Sequence, residues 1–169
     1  LLQADLQAHS RFADRAPLKL AISGATGLVG RALTPFLLTG GHDVRRMTRR
    51  AGHPGDVDWS HEQGRIDLVK LDGLDGVVHL AGENIAARWT ESRKKRIRDS
   101  RAIGTRFLCE ALARLSRPPR VLVSASAVGI YGDRGDETLT EESPVPARPA
   151  DFLGEVTREG ETAAAPARA

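Results

Sequence analysis

Short strand-like runs alternate along the chain with longer segments in which apolar residues recur at every third or fourth position. The helical spacing begins at Leu28, spans about 90–115 and returns after Asp151, which is a suitable N-cap residue. Strands that alternate with helices are typical of a parallel sheet covered on both faces. The pattern therefore predicts an α/β fold with a parallel sheet. The strand-like runs lie at 18–23, 42–50, 57–59, 76–82 and 120–126.

A change in composition predicts the domain boundary. Residues 1–16 are polar with scattered leucines, and Pro17 follows them. We expect 1–16 to be an N-terminal tail or the end of an upstream module. Residues 17–169 then form one domain, which a chain of 169 residues suits. Because the chain begins with Leu and not Met, we expect it to be a piece of a longer protein.

Composition and charge narrow the range of partners. The chain carries a formal net charge of +3, with 28% charged and 40% hydrophobic residues. This mildly basic balance favours anionic small molecules and does not call for nucleic acid. A single cysteine excludes an internal disulfide framework and fits a reducing compartment, so we expect a cytoplasmic protein. No apolar run approaches the roughly 18 residues of a membrane span, and no secretory signal is visible, so no membrane partner is expected.

The sequence GATGLVG directly follows the first predicted strand and opens the first predicted helix. In this setting Gly24 would allow a tight turn, Gly27 would let the backbone approach a diphosphate, and Gly30 would let helix and strand pack closely. The helix N-terminus would add amide donors for the anion. The alternative is a strand–helix turn that merely needs glycine. The predicted contacts to a dinucleotide are Gly24, Ala25, Thr26, Gly27, Leu28, Val29 and Gly30.

The end of the second predicted strand indicates which dinucleotide is bound. NAD-binding proteins usually place an acidic residue there, which holds the ribose 2′-hydroxyl. This chain has Arg49 and Arg50 instead, and a guanidinium group pairs well with a phosphate. We therefore predict NADP as the cofactor, with Arg49 as the main contact and Arg50 as a second, while NAD stays open. The alternative is a solvated basic strand end.

Four segments together resemble a known family. They are GATGLVG, DGVVHLAGENI, RWTESRKKRIRDSRAIGT and SASAVGIYG, in this order. The chain resembles the short-chain dehydrogenase/reductase superfamily, and within it the atypical YfcH-type epimerase family proteins, over roughly Leu18 to Glu161. The resemblance implies an extended-type, three-layer Rossmann fold. Family members are usually longer, so the C-terminal substrate part is expected to be missing here, and some members carry an upstream domain.

The resemblance also implies roles for residues after two strands. The turn of Ala81, Gly82 and Glu83 would lie against the ribose or nicotinamide side of the cofactor. Ser124 would line the cofactor pocket, and Ser126 best matches the position of the superfamily's catalytic serine. These implied roles place the chemistry beyond the strand at 120–126.

The usual catalytic pair of that superfamily, Tyr-x-x-x-Lys, is absent. The single tyrosine, Tyr131, is followed by Gly132 to Gly135 without a lysine. Where the motif helix is expected, Phe152 stands in place of the tyrosine and Val156 in place of the lysine. Tyr131 either takes part directly in chemistry or packs the loop, with its hydroxyl on a backbone group.

Three hypotheses follow for function. The chain is an enzyme that uses Ser126, Tyr131 or Glu83, an oxidoreductase or nucleotide-sugar epimerase-like protein acting on a sugar or carbonyl compound. Alternatively, it is a cofactor-binding sensor or regulatory module without turnover. In the third hypothesis, a missing half of the protein supplies the acid. The sequence leaves the substrate and the oligomeric state open.

The remaining candidates are interpreted as structural. The basic run RKKRIR (93–98) is expected to be a solvated helix face and not a nucleic-acid site, because no aromatic residue is interleaved. The segment 53–62 has histidines and carboxylates at spacings that match no common metal site, so no metal is predicted. His79 is expected to be a hydrogen-bonded core histidine, and Cys109 a core residue.

Overall fold

The computed structural model of the protein describes residues 16–168. In this range six strands form: β1 (Lys19–Ser23), β2 (Asp43–Thr48), β3 (Val57–Ser60), β4 (Arg65–Ile66), β5 (Gly76–His79) and β6 (Val121–Ser124). The α-helices of the same range are α1 (Leu28–Thr39), α2 (Leu68–Leu71), α3 (Glu91–Ala113) and α4 (Phe152–Ala163). Short 3₁₀ turns lie at His61–Gln63, Val128–Tyr131 and Ala165–Arg168. The predicted N-terminal tail, 1–16, falls outside the described residues except for Ala16.

The strands form one sheet in the order β4-β3-β2-β1-β5-β6. Every neighbouring pair is parallel except β3 and β4, in which Trp59 pairs with Ile66 in antiparallel fashion. The chain moves from β1 outward to β2 and β3, and then returns to place β5 on the other side of β1. This reversal is the topological switch point of a Rossmann fold, where ligands bind beyond the carboxyl ends of the strands.

The predicted α/β Rossmann fold is confirmed, with one difference at the sheet edge. Parallel crossovers are right-handed, so helices that follow β1 and β5 in opposite directions across the sheet lie on opposite faces. The sheet is parallel throughout its centre, as predicted, but the two-residue strand β4 was not predicted. A strand of two residues contains too little alternation to be recognised in a sequence.

Two helices begin where the sequence indicates, because a side chain caps each one. The Asp151 carboxylate accepts a hydrogen bond of 2.8 Å from the Gly154 N–H at the start of α4, as predicted. The Thr90 hydroxyl accepts one of 3.3 Å from the Arg93 N–H at the start of α3. Of the helices in residues 16–168, none is long and apolar enough to cross a lipid bilayer.

The core lies between the central strands and α3. Ala21 of β1 and Val77 of β5 are fully or almost fully buried, since these strands are covered on both faces. From α3, Leu108 and Leu112 pack against them. Cys109, on the same helix, is buried as predicted, and burial raises the pKa of its thiol to about 11. This rigid core fixes the carboxyl ends of β1, β2 and β5, where the candidate site lies.

Candidate functional site

A cleft of about 470 Å³ opens at the carboxyl ends of β1, β2 and β5. The loop that follows each of these strands forms part of its wall, as the switch point of the sheet predicts. The side facing α3 is formed by Arg96 and Ser100. The lining residues named in the sequence analysis are Gly24, Ala25, Thr26, Gly27, Arg49, Arg50, Ala81, Gly82 and Glu83.

Gly24 makes the tight turn after β1. Its backbone has φ of +70°, and the Gly27 N–H donates a 2.9 Å hydrogen bond to the Gly24 carbonyl. A Cβ atom at Gly24 would lie 2.7 Å from the Leu80 carbonyl group. Glycine is therefore required here both by conformation and by the close approach of the loop that follows β5.

Gly30 allows the first turn of α1 to lie directly on the loop. A Cβ atom at Gly30 would lie 2.3 Å from the Gly24 carbonyl oxygen and 2.7 Å from the Ala25 Cα. The predicted close packing is thus present, with the loop backbone just beyond β1 as the contact. Gly30, Leu28 and Val29 do not line the cleft, and the side chains of Leu28 and Val29 are exposed.

The N-terminus of α1 has no side chain that caps it. Gly27 is the N-cap residue and offers no side chain, and the first turn contains no acidic residue. The first amides of a helix have no intrahelical partner, so they are free to bind a ligand. The Arg31 Nε atom donates a 2.8 Å hydrogen bond to the Thr26 carbonyl, which fixes the loop from the helix side.

Four arginines near the end of β2 have different surroundings. Arg46 is bound by the buried Asp56 carboxylate, with Nε–Oδ1 of 3.0 Å and Nη2–Oδ2 of 3.1 Å. Arg45 donates to a backbone carbonyl at 2.7 Å. Arg49 and Arg50 are exposed and line the cleft, and neither guanidinium group has a hydrogen-bond or ion-pair partner in residues 16–168.

Beneath the loop after β5 lies a buried polar network. The N–H groups of Leu80 and Ala81 each donate a 3.2 Å hydrogen bond to Ser23 Oγ. These two bonds occupy the acceptor sites of the hydroxyl, so its proton points to His79 Nδ1 at 2.6 Å. The other ring nitrogen, Nε2, then carries the proton and donates to Thr105 Oγ1 at 3.2 Å.

His79 is therefore a neutral histidine, and its interpretation as a hydrogen-bonded core residue is confirmed. Burial, together with the smaller effect of the nearby His61, lowers the pKa of His79 from 6.5 to about 4. Trp59 packs edge-on against the His79 ring at 5.6 Å. A neutral ring that is hydrogen-bonded at both nitrogens stabilises the turn that begins at residue 80 through Ser23.

Glu83 is held by cations at the rim of the cleft. Its carboxylate lies 3.4 Å from both Arg93 and Arg96. Its N–H donates to Ser100 Oγ at 2.9 Å, and its carbonyl accepts from Arg101 Nη1 at 3.1 Å. This glutamate is therefore ion-paired at the rim of the cleft.

The predicted residues beyond β6 lie outside the cleft. Neither Ser124, Ser126 nor Tyr131 is among its lining residues. The exposed Ser126 hydroxyl donates a 2.6 Å hydrogen bond to Glu161 Oε1 of α4. Tyr131 is half-buried, and its hydroxyl has no partner in residues 16–168, so the backbone hydrogen bond of the packing hypothesis is not formed there.

The position expected for a catalytic tyrosine is structural in this chain. The Phe152 ring packs on Trp89 at 5.6 Å, with Arg98 5.5 Å from its centre. Val156, in place of the lysine, is 1% exposed and belongs to the core. The contacts of both residues hold α4 against α3 and the segment before it.

The cations of the basic run on α3 are paired with carboxylates. Two of them bind Glu83, as described above. Lys94 pairs with Glu91 at 3.1 Å, and Lys95 pairs with Asp99. Arg98 bridges two glutamates of α4, at 2.9 and 3.1 Å. These cations therefore already have carboxylate partners, unlike the free cations of an open phosphate-binding surface.

Several residues of the cleft wall were not predicted as site residues, although Leu80, Arg96 and Ser100 lie within two of the segments that carry the family resemblance. They come from the end of β2 and the loop that follows it, from β3 and its 3₁₀ turn, from the residue after β5 and from α3. In the described chain, no group of three or more His, Cys, Asp or Glu side chains is placed to hold a metal ion. The missed residues are Arg46, Met47, Thr48, Gly52, His53, Asp56, Trp59, His61, Glu62, Leu80, Arg96 and Ser100.

Similarity to known proteins agrees with this geometry. The family whose model matches residues 20–151 is described as the NAD dependent epimerase/dehydratase family. The epimerase family protein Mb2239 of Mycobacterium bovis is 38% identical over 151 residues, which are 88% of this chain and 48% of that protein. The chain thus spans about half the length of the curated relatives it matches.

Two solved structures share the fold at significant identity. The nucleoside-diphosphate sugar epimerase from Corynebacterium glutamicum is 46% identical with a TM-score of 0.81, and the match covers 98% of this chain and 35% of that one. The human epimerase family protein SDR39U1 (isoform 2), solved with NADPH, is 32% identical with a TM-score of 0.75, over 87% of this chain and 48% of that one.

Proposed function

The chain belongs to the NAD-dependent epimerase/dehydratase family, and from this premise we propose that its cleft binds NADP(H) in preference to NAD(H). The observation that carries the proposal is the pair of exposed guanidinium groups, of Arg49 and Arg50, on the wall of the cleft. Each lacks an anionic partner in residues 16–168, and a 2′-phosphate would supply one. The NADPH in the structure of the human relative SDR39U1 supports the same choice.

The rest of the cleft fits the remainder of a dinucleotide. The backbone of Gly24 to Gly27 and the uncapped first turn of α1 would hold the diphosphate. The turn of Ala81, Gly82 and Glu83 would lie along the ribose or nicotinamide side. The close approach of α1 to this loop supports the fit. A Cβ atom added at Gly30 would lie only 2.3 Å from the Gly24 carbonyl oxygen, and dinucleotide-binding loops need this close packing of helix and loop.

The first experiment compares the affinities of NADPH and NADH for the wild type and for Arg49→Gln. We expect the variant to lose about 10- to 100-fold in NADPH affinity, since a charge-assisted hydrogen bond contributes roughly 1.5–3 kcal/mol, and to keep its NADH affinity. Arg114→Gln removes the same charge from the exposed end of α3 and serves as the control. Equal or tighter NADH binding by the wild type would refute the proposal.

We further propose that the whole protein is an oxidoreductase or epimerase-like enzyme acting at a carbinol or carbonyl carbon. The cofactor, when bound, supplies hydride transfer. The protein would exchange a proton with the substrate oxygen, and Ser126 is the first candidate for this role. Its hydroxyl donates a 2.6 Å hydrogen bond to the Glu161 carboxylate, which could accept or return the proton. Tyr131 stays a second candidate. The similarity to the nucleoside-diphosphate sugar epimerase of Corynebacterium glutamicum supports a nucleotide-sugar substrate class.

A cofactor-binding sensor is the second candidate function, and one observation favours it. Phe152, at the position of the usual catalytic tyrosine, has no exchangeable proton and is fixed by Trp89 and Arg98. Turnover separates the two candidates. An enzyme oxidises NADPH when a panel of carbonyl compounds and nucleotide sugars is added, whereas a sensor binds NADPH tightly and oxidises none.

A further inference from the structure

Asp56 lies in the loop between β2 and β3 and has an unusual environment for a carboxylate. Its side chain is 5% exposed, and it accepts hydrogen bonds from both sides. The Arg46 guanidinium binds it in a bidentate manner from the strand. The N–H groups of Gly52 and His53 donate to Oδ2 from the loop, each at 3.0 Å. One buried carboxylate therefore ties the end of β2 to the loop that follows.

The charge of this carboxylate is maintained by its partners. Burial alone would raise the pKa of Asp56, but the hydrogen bonds from Gly52 and His53 and the Arg46 guanidinium outweigh it, so the pKa lies below its usual value. The backbone of Asp56 is fixed too, because its carbonyl accepts a 2.7 Å hydrogen bond from Lys70 Nζ. Asp56 is thus an ionised and immobile anchor at neutral pH.

The loop held by this anchor carries the two unpaired arginines. Arg49 and Arg50 stand between Arg46 and Gly52 in sequence, so both ends of their segment are bound to the same carboxylate. Arg46 lines the same cleft, yet its charge is already compensated. The arrangement leaves Arg49 and Arg50 as the free cations on this wall and restricts the backbone that presents them.

We propose that Asp56 is a positioning residue for cofactor choice: by binding Arg46, Gly52 and His53 together, it presents Arg49 and Arg50 to the 2′-phosphate of NADP(H). The inference rests on the proposed NADP(H) preference. It adds a residue that contacts no cofactor and acts through the loop. An electrostatic role alone predicts the opposite effect, since an anion near the phosphate would weaken NADPH binding.

The test is Asp56→Asn, which keeps the size of the side chain but removes its charge and one acceptor oxygen. We expect the ratio of NADPH to NADH affinity to fall about tenfold, although the site becomes more positive, because the loop loses charge-assisted hydrogen bonds that hold it. Asp72→Asn is the matched control. Asp72 also accepts from a backbone N–H and the side chain of one arginine, Arg117, at 2.8 and 3.2 Å, but at the amino ends of the strands.

A second readout does not depend on cofactor. Hydrogen exchange of the Gly52 and His53 amides should accelerate in Asp56→Asn and stay unchanged in Asp72→Asn. If Asp56→Asn does not fold, Arg46→Lys keeps the charge and removes the bidentate geometry, and we then expect a loss of about threefold in the same affinity ratio.

The outcomes distinguish this inference from the proposed function. An unchanged or increased NADPH preference in the folded variant, or unchanged amide exchange, overturns the role of Asp56. A wild-type protein without NADPH preference overturns the proposed function first, and the role in cofactor choice falls with it. A reduced preference together with faster exchange at Gly52 and His53 supports the inference.

Discussion

The regions at the carboxyl ends of β5 and β6 differ in how many of their polar groups have hydrogen-bond partners. We refer to these regions as the two sides of the molecule. Beyond β5, Ser23 and His79 are buried and every polar atom of their network has a partner. Beyond β6, Ser126 is exposed and Tyr131 presents a hydroxyl without a partner in residues 16–168. The polar groups of the first side are buried and hydrogen-bonded to one another, whereas the hydroxyl groups of the second side are exposed or without a partner among the described residues.

The difference indicates which side of the described chain is better suited to hold the proposed cofactor. Buried, satisfied networks have essentially one low-energy arrangement, so the cofactor wall is preorganised. The edge strand β6 still exposes about half of the Val121 and Val123 side chains, at 55% and 53%. We therefore expect cofactor binding to tolerate changes beyond β6 and to be sensitive to changes beneath the cleft.

The largest effect is expected for Gly24→Ala. The added methyl group would need to lie 2.7 Å from the Leu80 carbonyl, in a backbone with φ of +70°, so the loops after β1 and β5 must separate. We expect a loss on the order of 4 kcal/mol in the free energy of unfolding, and loss of NADPH binding. Urea denaturation and cofactor titration measure the two effects.

Gly41→Ala separates packing from backbone strain. Gly41 also has a positive φ, of +82°, but nothing lies within 4 Å of its Cβ position. Only the conformational penalty applies there, roughly 1–2 kcal/mol, and NADPH binding should persist. Equal losses in the two variants would show that the contact between the loops contributes nothing.

The next effect is a pH dependence of stability that comes from His79. The unfolded histidine takes up a proton near pH 6.5, whereas the folded one resists protonation until about pH 4. The free energy of unfolding should therefore fall by up to about 3 kcal/mol as the pH decreases from 6.5 towards 4. Above pH 7 the contribution of the neutral His79 to stability should be complete. His79→Asn retains an acceptor for Ser23 and should lose most of this dependence.

The control for this experiment is His53→Asn, since the side chain of His53 lies in an exposed loop. The measurement is the urea midpoint at pH 7.5 and pH 5 for each protein. A wild type whose midpoint does not move between these values would contradict a neutral, buried His79 and the hydrogen-bond scheme beneath the cleft.

The extent to which the sequence predicts the fold depends on element length. The longer helices and the five strands with a clear apolar pattern were predicted, whereas the four-residue helix α2 was not, and Asp151 marked the start of α4 because capping is a local interaction. Strand β4, with Arg65 and Ile66, forms because β3 offers it an edge. Such pairing depends on tertiary contact, which no local pattern encodes.

The candidate site shows the same division. The motif glycines and the strand-end arginines were predicted because their chemistry needs residues adjacent in sequence, and Gly24, Gly27, Arg49 and Arg50 line the cleft. The pairing of Arg46 with Asp56 spans ten residues, and that of Ser23 with His79 spans 56. Neither spacing is typical of a motif. These two pairs were not predicted, because only the folded chain brings their polar groups within hydrogen-bond distance.

The smallest effect is expected beyond β6, for Ser126→Ala and Tyr131→Phe. Ser126 gives up one exposed hydrogen bond to Glu161, which contributes about 0–1 kcal/mol, and Tyr131 gives up a hydroxyl without a partner in the described chain. Calorimetry should find both within about 1 kcal/mol of wild type, with NADPH affinity changed less than about twofold. A tenfold loss of NADPH affinity in either variant would mean that the side beyond β6 belongs to the cofactor site. The contrast between the two sides would then be wrong, because a single preorganised surface would have to extend from Ser23 to Tyr131.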